Sequence, residues 1–165
     1  MKKILIVSLF TLSLLSLYGC GKDTSADYNE NLVNLVERCT TAEDLMRDAI
    51  DQESYTTAQT LHTTAIETCK DAQADTTKLK GFDNDTSLRD ASDNYLQTEV
   101  AYLEKLETIF TYRDLAEFTP AQETSFLTLE SELATLADTT ANAYTELTAV
   151  QKTFAQAHGY QLETL

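Results

Sequence analysis

Proline occurs once in the 165-residue chain, at Pro120, glycine four times, and tryptophan not at all. A many-stranded sheet needs turn residues at every hairpin, so this scarcity excludes such folds and leaves long helices. Basic side chains are also few: 12 Lys and Arg stand against 27 Asp and Glu, a net charge of −15. That surface repels nucleic acid and anionic headgroups, and points to cations or basic proteins as charged partners. There is no glycine-rich phosphate loop, no Cys-x-x-Cys or Cys-x-x-Cys-His spacing, and no recognisable Ser, His and acid constellation. The only imidazoles are His62 and His158, and neither has a Glu three residues before it, as a di-metal bundle requires. No enzyme, cofactor or metal is expected.

What is present begins with a signal. Lys2 and Lys3 precede an uncharged apolar run from Ile4 to Tyr18, too short to span a bilayer, which would take about 20 residues. The run ends in Leu17-Tyr18-Gly19-Cys20. This resembles the lipobox of bacterial lipoproteins, with an aliphatic residue at −3, a small one at −1 and the obligatory Cys, although Tyr18 departs from the small or aliphatic residue usual at −2. The resemblance implies a cleaved signal peptide over 1–19, a diacylglycerol on the Cys20 thiol and an acylated new amino terminus. Each buried acyl CH₂ contributes about 0.8 kcal/mol, so two or three chains make a lasting anchor. Gly21 stands where an inner-membrane retention signal would place Asp, which favours the outer membrane or cell surface. Residues 20–24 are then a short linker, and 25–165 form one domain with ten basic against 27 acidic residues in the mature chain.

Four helical segments are predicted. The first starts at Asp23 or Ser25 and carries Tyr28, Leu32, Leu35, Cys39, Ala42, Met46 and Ala49 at alternating spacings of four and three, with Val33, Val36, Leu45 and Ile50 widening the seam. The second runs from Ser54 to about Lys80, closed by Gly81 as a left-handed residue. Asp85, Thr86 or Ser87 introduces the third, which ends in the segment TYRDLAEFTP. Thr119-Pro120-Ala121-Gln122 reads as a cap, a first-turn proline and a capping-box partner, opening a fourth helix to His158 that Gly159 closes.

Short connections make consecutive helices antiparallel, so the expected fold is an all-α, up-down-up-down four-helix bundle. At 1.5 Å per residue the fourth helix is about 58 Å long against about 40 Å for the first. That mismatch requires an extended third helix, a kink near Thr139-Thr140 or an overhang.

Antiparallel packing brings Cys39 and Cys69 to nearly one height, within about 6 Å. A disulfide is expected there in an oxidising compartment. His62 and His158 are expected at the surface or core edge, tens of ångströms apart. Asp83 to Ser87 has the oxygen spacing that begins a calcium loop but lacks its later glycine and glutamate, and helix capping accounts for it. The tyrosines, Tyr55 among them, fall mostly on or beside the seams. The plan resembles uncharacterised helical-bundle envelope lipoproteins, a likeness that supplies no site residues. The function expected is a membrane-anchored, non-enzymatic lipoprotein that binds an envelope protein or acts structurally through acidic helical faces. The alternative is a bundle that binds a small ligand or cation.

Overall fold

The computed structural model describes residues 24–113 and 117–162. The expected signal peptide, Cys20 and most of the linker lie outside the described residues. Within them the chain forms four helices and no strand: α1 (Ser25–Asp51), α2 (Tyr55–Lys78), α3 (Ser87–Arg113) and α4 (Pro120–Ala157).

Local chemistry sets the ends of these helices. Thr24, not Asp23 or Ser25, caps α1. Its hydroxyl accepts from the Asp27 amide at 3.1 Å while the Asp27 carboxylate accepts from the Thr24 amide at 2.9 Å. Thr119 and Gln122 repeat this reciprocal bonding at α4, with Pro120 at the first helical position. Both caps satisfy amides that have no partner inside the helix. At the far end of α4, Gly159 takes φ 74° and the Tyr160 amide reaches back to the Ala155 carbonyl at 3.1 Å. Gly81 acts differently from expectation. The left-handed residues of the α2–α3 loop are Asp83 and Asn84, at φ 48° and 68°. Gly81 is required for space, because a Cβ there would lie 2.5 Å from the Asp85 carbonyl oxygen.

Threonine is a poor helix former, yet α4 carries it throughout. Seven of its threonines return their hydroxyls to a carbonyl four residues earlier, among them Thr135 at 3.0 Å and Thr139 at 2.8 Å. Their polar groups are thereby satisfied without a partner outside the helix.

Consecutive helices pack side by side and antiparallel, forming the expected four-helix bundle. The core runs along its axis through Leu32, Cys39, Met46, Ala65, Cys69, Leu88, Leu96, Leu103 and Phe154. Leu45, expected to widen the α1 seam, is instead 53 % exposed, because it lies on the side of α1 opposite Leu32 and Val36. Tyr55 likewise departs from the seam and is exposed.

Side-chain pairs give the register. Tyr95 meets Tyr144, Lys105 meets Glu132 and Tyr112 meets Phe126, so α3 and α4 run antiparallel with the first turn of α4 beyond the end of α3. At the other end Phe154 and His158 cover Phe82 of the α2–α3 loop, with Tyr28 of α1 against both phenylalanines. The extra length of α4 is thus absorbed at both ends, as an overhang and as an aromatic plug, while the helix remains unbroken through Thr139 and Thr140.

Candidate binding cleft and acid layer

The two seams of α1 differ in closeness. Toward α2, Cys39 and Cys69 are joined by a disulfide with their Cα atoms 4.5 Å apart, and the fully buried Ala58, Ala65 and Ala72 admit close approach. Toward α4 the helices stand further apart. A cleft of about 70 Å³ lies between them, with Leu32, Val36, Leu88 and Leu147 as its apolar lining. Asn29 and Gln151 bridge its lower end through a 3.0 Å hydrogen bond. Thr40 and Tyr144 line its upper part.

One turn above Thr40 and Tyr144 the interior becomes ionic. Glu99 of α3 is only 2 % exposed, and Glu43 of α1 is buried as well. The Arg47 guanidinium donates Nε to Glu43 Oε1 at 2.6 Å and Nη2 to the same oxygen, and lies 5.4 Å above the Tyr102 ring. Glu99 lies against the Glu43 carboxyl group. Burial, and then the Glu43 charge, push the Glu99 carboxyl well above the usual carboxylate range, which favours its protonated form. Burial, with Glu43 next, raises Asp44 as well. Burial alone would lower the Arg47 guanidinium, but the Glu43 charge and hydrogen bond, with Tyr102 and Glu99, together outweigh burial and raise the group above its ordinary value. Burial and then Glu99 raise the Tyr95 hydroxyl well above its ordinary value.

Two atoms of this layer have no partner: Glu99 Oε1 and Thr140 Oγ1. The Tyr95–Tyr144 pair fixes their relation, since Glu99 lies one turn above Tyr95 and Thr140 one turn above Tyr144 on the antiparallel helix. Both therefore belong to one level of the α3–α4 interface. Thr140 alone among the α4 threonines does not bond back to its own helix, and it is 9 % exposed.

Sequence reasoning missed this layer because it sought carboxylates by motif. The available signal was positional: Glu99 continues the series Leu88, Ser92, Tyr95, where a core residue belongs, and is followed by Leu103 and Leu106. His62 also corrects expectation. It is 2 % exposed, donates Nε2–H to the Leu103 carbonyl at 2.7 Å and meets the Phe110 ring edge-on. His158 is half-buried at the opposite end, in the aromatic plug. In the loop with calcium-like spacing, the Asp85 carboxylate accepts from the Ser87 amide at 2.8 Å, the capping role.

Among the described residues no group of three or more His, Cys, Asp and Glu side chains is arranged to hold a metal ion. No described helix is long and apolar enough to cross a membrane. No protein family, no curated protein and no solved structure matches the chain.

Proposed function

We propose that this protein is a lipid-anchored, non-enzymatic component of a bacterial cell envelope that docks a cationic protein segment on the acidic side of α1. Cys20 carries the lipid, and the outer membrane or cell surface is the location. The observation supporting docking is a row of five carboxylates, Glu30, Glu37, Asp44, Asp48 and Asp51, none of them in an ion pair. At 100° per residue they fall within an arc of about 60° and extend over about 32 Å of helix. Like charges so aligned repel one another at modest cost in water, and a basic partner converts that repulsion into attraction. The lower end of the bundle, where α1 begins, faces the anchor, so this row extends outward from the membrane.

Two measurements test the reading. Cys20→Ala should move the protein from the membrane to the soluble fraction; retention in the membrane would discard the anchor. Crosslinking in intact envelopes should capture a basic partner, and Glu30→Gln/Asp48→Asn/Asp51→Asn should weaken that capture and its salt dependence. An undiminished yield from the triple variant would discard the acidic face as the docking surface.

A further inference from the structure

The cleft and the acid layer adjoin, and together they have the features of a ligand site. The cleft is lined by apolar side chains together with Thr40, Ser92 and the Glu37 carboxylate, and the Asn29–Gln151 bridge lies at its lower end. One helical turn beyond its upper lining residue Tyr144 are two buried polar atoms without partners, Glu99 Oε1 and Thr140 Oγ1, which do not themselves line the cleft. Buried polar groups are bonded as a rule, and an orphaned carboxyl oxygen on one level with an orphaned hydroxyl calls for an occupant. Both atoms can accept, so the occupant is a donor. The charge around them selects its sign. Arg47 pairs with Glu43, and Asp44 and Glu99 stand beside that pair, so three carboxyl groups share one guanidinium.

We propose that the α1–α4 cleft and the layer above it bind a small aliphatic amine. Its ammonium group is held by Glu99, Glu43 and Thr140, and its carbon chain lies along Leu32, Val36 and Leu147. An ammonium offers three donors and no acceptor, matching two carboxylates and a hydroxyl. The cleft volume limits the ligand to roughly half a dozen heavy atoms, well below the size of a drug-like ligand. Entry is through the α1–α4 seam, the less tightly packed side of α1. Binding is an exchange of cations: the ammonium arrives charged, Glu99 ionises to pair with it, and its proton leaves to solvent. Glu37 and Asp44 of the outer row border the site, whereas Glu30, Asp48 and Asp51, the positions that test docking, do not, so the two readings are tested separately.

Isothermal titration of the full-length protein at pH 7 tests the assignment, with n-butylammonium chloride, 1-butanol and sodium butyrate as probes. Saturable binding of butylammonium is expected, with a heat that varies with buffer ionisation enthalpy as proton release demands. Butanol should bind at least tenfold more weakly, and butyrate should give no saturable heat. Glu99→Gln should lower the amine affinity at least tenfold without lowering Tm, and Thr140→Val should lower it severalfold. Three results would overturn the proposal: no saturable binding of the amine, equal affinity for butanol, or unchanged affinity in a folded Glu99→Gln variant. The comparison of amine with alcohol needs only the wild-type chain, so it decides the matter even if a variant fails to fold.

Discussion

The two sides of α1 show how one helix is fixed against one neighbour and left accessible beside another. On the α2 side the contact is made by alanines, a disulfide and the Arg38–Asp75 pair, which is 3.5 Å apart and exposed. On the α4 side larger side chains hold the helices apart, and a cleft and an under-bonded acid layer lie between them. Small residues permit close backbone approach and leave no volume for a ligand. Larger residues that meet imperfectly leave volume, and polar groups beside that volume give it chemical selectivity. The bundle has its covalent constraint on the first side and its candidate site on the second.

The largest expected effect concerns the plug that closes the open side. Phe154 is fully buried against Tyr28, Phe82 and His158, so Phe154→Ala should cost about 3–5 kcal/mol, read by denaturant unfolding. Next is the closed side. Removing the disulfide as Cys39→Ala/Cys69→Ala frees a 30-residue separation and should cost about 3–4 kcal/mol by chain entropy. The double variant should unfold at lower denaturant with its helix content retained; an unchanged midpoint would mean that alanine packing alone fixes that seam.

The acid layer should respond in the opposite direction. Glu99 has a folded pKa raised above its ordinary value near 4.5, so between that value and the raised one the folded state binds more protons than the unfolded chain. Stability then falls as pH rises above about 4.5. Glu99→Gln keeps the shape, leaves the Arg47–Glu43 pair intact and removes this loss. It should raise stability at neutral pH by about 1–3 kcal/mol and flatten the melting profile between pH 5 and 8. A variant less stable than wild type throughout that range would refute the account of a protonated Glu99. The smallest effect concerns the bridge: Gln151→Ala should cost about 0.5–1.5 kcal/mol and speed amide exchange in α1 near Asn29 more than near Cys39.

Much of this comparison was readable from residue spacing. The four helices, the Thr119-Pro120-Gln122 start of α4 and the meeting of Cys39 with Cys69 all follow from local periodicity and capping, which act over a few residues. Other features resisted such reading for definite reasons. Leu45 is as apolar as the seam residues Leu32 and Leu35, and only the direction of the α1 stripe shows that it faces water. His62 is polar by type, but a carbonyl of α3 satisfies it and admits it to the core. Gly81 reads as a left-handed cap, whereas the requirement comes from Asp85, four residues away through space.

The sequence by itself determined an all-helical chain, its four segments, their antiparallel order and an acidic exterior, because periodicity, caps and charge are properties of short stretches. The tertiary structure alone decided which side of α1 closes and which stays open, and how Glu43, Glu99 and Thr140 come together. These residues belong to three helices and lie up to 97 positions apart. The raised Glu99 carboxyl and the unmet hydrogen bonds of Glu99 and Thr140 arise only when packing removes water from this layer.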